Sequence, residues 1–250
     1  MTRTGLLLLI FCTNMLSFLN AQNTIPANKN NYHYRKPTIP LYGLEKVKHI
    51  ISQTPDRDGY MNCPIPQRSY DSLSLTEKFT YAMIHPETYL QNCSFYGELN
   101  SQGKVFGRLS LGFNENMLSK RQLDFLQAHR DSVLMLIRNS YQANSQMGIN
   151  FKQTIVAING WEIIPLLIDY YNKEKKDSDV LCTLMILMKN GYFNKFIESD
   201  IYQQLYSKGK RPFYATIDHN PKNAAFILKT AVSYFSQLKK ANPKNYLVYY

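Results

Sequence analysis

Acidic residues, glycine, tryptophan and cysteine are all scarce in this sequence. Its 250 residues hold 18 Asp+Glu against 29 Lys+Arg, one Trp, four Cys, and 11 each of Gly and Pro. So little Gly and Pro excludes a collagen-like or low-complexity chain. A hydrophobic fraction of 44% excludes a disordered one. There is no CxxC and no paired histidine: His33, His49, His85, His129 and His219 are scattered, so no metal site is expected. G-x-S-x-G, H-E-x-x-H, P-loop and dinucleotide fingerprints are also missing, which leaves no motif-based ground for an enzyme or for any cofactor. What the chain does carry is a formal net charge of +11, and such an excess favours anionic partners.

The N-terminus reads as an export signal. Arg3 precedes an apolar run from Leu6 to Phe18, and Leu19-Asn20-Ala21-Gln22 follows. A basic start, an apolar core and a small residue at the cut predict a signal peptide over 1–21, cleaved after Ala21. Thr13, Asn14 and Ser17 interrupt a run shorter than the ~20 apolar residues a spanning helix needs. No second long apolar run follows. The expected product is therefore secreted or periplasmic, with no integral membrane segment after signal removal. Outside the cytoplasm the excess positive charge points to a protein or an anionic cell-envelope polymer as partner, and not to nucleic acid. Export also permits a disulfide. Removal of Cys12 leaves Cys63, Cys93 and Cys182. We expect Cys63–Cys93, worth about 3–4 kcal/mol by loop closure, with Cys182 a small buried hydrophobe.

Residues 22–41, rich in Asn, Pro and Lys, read as an extended linker or arm on the surface. Residues 42–250 read as a single, mainly helical domain. Its N-terminal part, 42–118, opens with a short helix near 43–52 and a Pro-broken loop over 53–71. Ser74 and Glu77 form a capping pair for the next helix. Pro86 ends that helix and suits the first turn of another over 86–92. Aromatic and β-branched residues on either side of Asn100-Ser101-Gln102-Gly103-Lys104 predict one small β-hairpin over 94–111.

From Ser119 to residue 240 the spacing is helical. Ser119 and Gln122 make a second capping pair. Leu123, Leu126, Val133, Ile137 and Tyr141 predict one helix over 120–142. Further helices are expected over 149–158, 160–173, 179–189, 194–206 and after the cap-and-proline pair Asn220-Pro221. The 160–173 segment is apolar except for a strip holding Glu162 and Asp169, and 179–189 is apolar nearly all round. Helices of that kind are buried on several sides, which predicts stacked antiparallel helices. The C-terminal tail, 241–250, with Tyr246-Leu247-Val248-Tyr249-Tyr250, is expected to pack on its own domain.

One weak internal similarity stands out. Ile155 to Trp161 lies 31 positions before Ile186 to Tyr192, and both read as an apolar helix end, Asn-Gly, then an aromatic. Gly after a helix end accepts the left-handed conformation. The segment resembles HEAT- or armadillo-type helical repeats, which implies a stacked helical array over part of residues 120–240.

Few residues read as a site. Arg130 lies within the apolar stripe between Leu126 and Val133. It suits anion binding, or pairing with a carboxylate from a neighbouring helix. Glu77, Glu87, Glu98 and His85 cluster around the capped helix and the hairpin. Two carboxylates flanking a cleft is how many glycan hydrolases place acid and base. Against this, Glu77 belongs to the capping pair, Glu87 to a first helical turn and His85 to an N-cap. Basic residues gather at Lys173/Lys175/Lys176, Lys208/Lys210/Arg211 and Lys239/Lys240/Lys244. The favoured reading is an exported, non-catalytic binding or scaffold module. The alternative is a small secreted cell-wall glycan hydrolase using a Glu pair near the hairpin.

Overall fold

Two capping boxes set where the first well-marked helices begin. Ser74 Oγ accepts from the Glu77 amide at 3.3 Å, and the Glu77 carboxylate accepts from the Ser74 amide at 2.8 Å. Ser119 and Gln122 repeat the arrangement. Each box satisfies amides that the helix itself cannot pair. The computed structural model describes residues 36–54, 63–89, 103–109, 116–210 and 214–242. All described residues belong to one compact unit, His33–Tyr250.

In chain order the elements are α1 (Leu44–Ser52), α2 (Gln67–Asp71), α3 (Leu75–Ile84), β1 (Thr88–Tyr89), β2 (Lys104–Phe106), β3 (Asn116–Met117), α4 (Lys120–Ala128), α5 (Arg130–Asn144), α6 (Ile149–Ala157), a 3-10 turn (Trp161–Ile163), α7 (Ile164–Lys173), α8 (Ser178–Asn190), α9 (Asn194–Ile197), α10 (Asp200–Tyr206), β4 (Thr216–Asp218) and α11 (Pro221–Ala241). The protein is mainly α, as its periodicity predicts. Among the described residues, no helix is long and apolar enough to cross a membrane.

Helix α8 is the centre of the core. It packs against α6, α7, α9, α11 and the distant strand β2. Val180, Leu181, Leu184, Met185, Leu187 and Met188 are all fully buried. Each such side chain contributes about 1.5–3 kcal/mol of transfer free energy. In a solenoid each unit touches only its sequence neighbours. Here the packing converges on one helix, and α11 reaches it across α9 and α10.

The paired Asn-Gly segments also differ from their expected role. Gly160 has φ −79° and Gly191 φ −82°, so neither is left-handed. The left-handed residues are Asn159 (φ 51°) in the first segment and Tyr192 (φ 50°) in the second. Glycine is needed there for space. A Cβ on Gly160 would lie 2.6 Å from Leu134 Cδ2, and one on Gly191 would lie 1.9 Å from the Tyr234 hydroxyl oxygen.

Several other expectations are corrected. Within the expected 94–111 hairpin, the described strand β2 takes a distant partner. Lys104–Phe106 runs antiparallel to Thr216–Asp218, with Val105 opposite Ile217 and Lys104 opposite Asp218, and β1 pairs with β3. Such partners lie far apart in sequence, where local turn chemistry carries no signal. Residues 94–102 lie outside the described residues. Thr88–Tyr89 is a strand, so the expected helix over 86–92 does not form there. His85, expected as an N-cap, follows the last turn of α3 as its C-cap. The 120–142 helix breaks at His129 into α4 and α5. The 194–206 helix breaks where Ser199 Oγ accepts from the Tyr202 amide and caps α10, as serine does in competition with helix continuation. Helix α2 falls inside the segment read as loop.

No two described cysteines lie within disulfide distance; Cys63 is half-buried, and Cys182 is buried in α8 as expected. Cys93, the expected partner of Cys63, lies outside the described residues, as do the signal segment and the tail from 243 onward.

Candidate functional site

The one described stretch of the N-terminal arm is pinned down by hydrogen bonds. Thr38 is 1% exposed. Its amide donates to Asn150 Oδ1 at 2.9 Å, its carbonyl accepts from Asn150 Nδ2 at 2.8 Å, and its Oγ1 accepts from the Gly148 amide at 2.7 Å. A Cβ on Gly148 would fall 2.4 Å from the Thr38 nitrogen, so only glycine lets the arm lie this close. Asn150, fully buried at the start of α6, also donates to the Met83 carbonyl and ties the arm to α3.

This arm forms one wall of a cavity of about 160 Å³. The end of α5 and the loop after it supply Tyr141, Ser145 and Met147, and the end of α7 supplies Tyr170, Lys173 and Glu174. Tyr141 and Tyr170 meet edge to face, with ring centroids 5.8 Å apart at 89°. Lys173 Nζ lies 6.0 Å from the Tyr141 ring centroid and 4.0 Å from Asp169. Lys36 and Lys173 are both exposed, so the cavity has a cationic rim over an aromatic floor. Lys175 and Lys176, exposed on the α7–α8 loop, follow Glu174 directly in sequence.

Tyr170 also belongs to a buried ionic group. Lys152 Nζ and Asp177 Oδ2 are 2.6 Å apart, and both side chains are completely inaccessible. Asp177 also caps α8, its Oδ1 accepting from the Asp179 amide at 3.1 Å. Burial pushes the Asp177 carboxyl up to about 6 despite the Lys152 charge, and Asp179 adds to the rise. Burial, with the Asp177 charge and hydrogen bond behind it, pushes the Tyr170 hydroxyl far above its ordinary value. Neither Lys152 nor Asp177 was singled out from the sequence. The available signals are a lone lysine in an apolar helix and an aspartate three residues before the apolar run that opens at Val180.

The sequence-predicted residues fall in three places. Arg130 makes the structural pairing. Its Nη1 donates to Glu162 Oε1 at 2.8 Å and its Nη2 to Glu162 Oε2, while Nε and Nη2 donate to the carbonyls of Ile158 and Asn159. Glu162, expected on a polar strip, is buried for this reason. Glu77 is occupied by its cap and by Lys46 at 2.9 Å. The cap amide, with Lys46, holds its carboxyl below the usual range.

Glu87 and His85 do come together, around Gln122. Gln122 Nε2 donates to the His85 carbonyl at 2.9 Å, and its Oε1 accepts from the Glu87 amide at 3.2 Å. The His85 ring donates from Nε2 to the Cys63 carbonyl at 2.8 Å, and burial lowers its pKa. The Glu87 carboxylate is surrounded by donors: Arg121 Nε and Nη2, Ser119 Oγ at 2.5 Å and the Tyr81 hydroxyl at 2.6 Å. Burial raises its pKa, but the donations from Arg121, Ser119 and Tyr81 outweigh burial and the net shift is downward. A general acid needs the opposite shift. Arg121 itself stacks on Tyr70, 4.4 Å from the ring centroid, and donates to Gln67 and the Ile65 carbonyl. This is a structural clasp that joins α2, α3 and α4. Glu98 lies outside the described residues. Among those described, no group of three His, Cys, Asp or Glu is placed to hold a metal ion.

No family model matches this chain, and neither the curated proteins nor the solved structures contain a match to it.

Proposed function

We propose that this protein is exported and acts as a non-catalytic binding module for an anionic component of the cell envelope. The observation that carries the reading is the cavity beneath the arm. It brings Lys36 and Lys173 together beside two tyrosine rings, with Lys175 and Lys176 close by in sequence, in a chain of net charge +11. A cationic rim raises the local concentration of anions and steers them to the mouth, while aromatic walls supply contact area. The signal-like N-terminus supports an envelope location, which makes a wall or capsule polymer a better-fitting partner than a nucleic acid. A disulfide between Cys63 and Cys93 belongs to the same reading, because export supplies the oxidising conditions it requires.

Two measurements test this reading. Fractionation of expressing cells, with mass measurement of the mature N-terminus, should give a product outside the cytoplasm that starts at Gln22. An intact Met1 in the cytosol contradicts export. Co-sedimentation of the protein with an immobilised acidic polysaccharide such as polygalacturonate should show binding that weakens steeply between low and physiological salt. Binding that ignores salt, or no binding, contradicts the anionic partner.

A further inference from the structure

We propose that the cavity beneath the arm takes a single pyranose ring bearing one carboxylate, a uronic-acid unit of the polymer. This rests on the preceding reading and narrows it to a substrate class. A cavity of about 160 Å³ is close to the ~150 Å³ that accepts one six-membered apolar ring. It therefore seats one sugar ring, with the ring substituents directed to the open mouth. Tyr141 and Tyr170, packed edge to face and almost fully buried, line the cavity with apolar ring atoms against which the C–H groups of one sugar ring can rest.

The charges at the mouth select among anions. Lys36 and Lys173 favour a carboxylate. Glu174 lines the same cavity. Its carboxylate repels a multiply charged phosphate but accepts hydrogen bonds from sugar hydroxyls. A ligand with one negative charge and several hydroxyls satisfies both kinds of group. An aromatic acid lacks the hydroxyls, and a neutral hexose lacks the charge.

Calorimetric titration of the full chain with D-galacturonate, D-galactose and benzoate tests this. Saturable binding of galacturonate is expected, with the other two weaker by about tenfold, the worth of one charge-assisted hydrogen-bond set. Lys173→Gln should weaken galacturonate about tenfold, with an unchanged melting temperature because the side chain is 69% exposed. Glu174→Gln should narrow the preference for galacturonate over benzoate, because it relieves repulsion of both anions and removes a carboxylate acceptor that only the sugar hydroxyls use. Galacturonate binding no tighter than galactose or benzoate overturns the proposal, as does indifference to Lys173→Gln. Retained polygalacturonate binding without any galacturonate binding overturns it too, and leaves the anion-binding function standing. Loss of both removes both.

Discussion

The two halves of the described fold each bury a carboxylate against a cation, and the two carboxylates respond in opposite directions. In the N-terminal half, Glu87 is held below its ordinary pKa. In the helical core, Asp177 is pushed up to about 6. Both side chains are almost completely inaccessible, at 1% and 0%. Burial alone therefore does not separate them. The difference is in the partners. Glu87 accepts from a guanidinium, a serine and a tyrosine, and Arg121 remains 24% exposed, so the cation keeps part of its hydration. Asp177 also accepts from the Tyr170 hydroxyl and the Asp179 amide, but its lysine has no exposure at all and the Asp179 carboxylate adds a like charge. A buried ion pair is favourable when donors fill its lone pairs and one partner stays wet. Otherwise desolvation dominates.

The largest expected effect comes from breaking the drier pair. Lys152→Met leaves Asp177 buried without its cation and should cost about 3–5 kcal/mol in chemical denaturation. If the loss is below about 1 kcal/mol, the pair is not the tight, dry contact described here. Replacing both partners with apolar residues should recover most of the loss, because neither charge is then stranded. Glu87→Gln should cost less, about 2 kcal/mol, since Ser119 and Tyr81 still have an oxygen to donate to.

The pH profiles sharpen the contrast. Asp177 has a folded pKa raised above its unfolded value of about 4. Its contribution to stability is complete below about pH 4 and is lost as pH rises through about 6. Glu87 is the reverse: its contribution is present above the ordinary glutamate pKa and is lost as pH falls through its lowered folded value. Stability curves of Asp177→Asn should therefore lose their decline between about pH 4 and 6, while Glu87→Gln should be less sensitive to acid. Parallel curves for the two variants would erase the distinction.

Arg130 sits between these cases. Arg130→Lys keeps the charge near Glu162 but loses the two-pronged contact and at least one backbone carbonyl bond. A loss of about 1–2 kcal/mol is expected in thermal denaturation. The smallest effect belongs to Lys104, whose pair with Asp218 is exposed on both sides. Lys104→Ala should change stability by no more than about 0.5 kcal/mol. A larger change would mean that the β2–β4 pairing depends on that cross-strand contact.

What the sequence disclosed was local. The capping pairs at Ser74 and Ser119, the Asn220-Pro221 start of α11, and the all-round apolar character of α8 are short-range signals, and each stands in the structure. Arg130 was legible as an arginine needing a carboxylate, and Glu162 is that carboxylate. The failures are long-range. Strand β2 pairs 114 positions away, at Lys104 and Asp218, and no turn residue announces such a partner. Gly160 and Gly191 were read for backbone freedom, whereas Leu134 and Tyr234 demand their small size. The cavity was not foreseen because it is assembled from an arm, a loop and two helix ends, none of which looks like a site by itself. Only the basic run at Lys173, Lys175 and Lys176 pointed to it.

The most direct measurement compares two pairs of lysines of equal charge. Polygalacturonate binding should be measured for Lys36→Gln/Lys173→Gln and for Lys208→Gln/Lys210→Gln at the same ionic strength. Loss of binding in the first variant, with the second close to the unaltered protein, is the expected result. Equal weakening in both would mean that the positive charge acts diffusely and that the cavity is not where the anion binds.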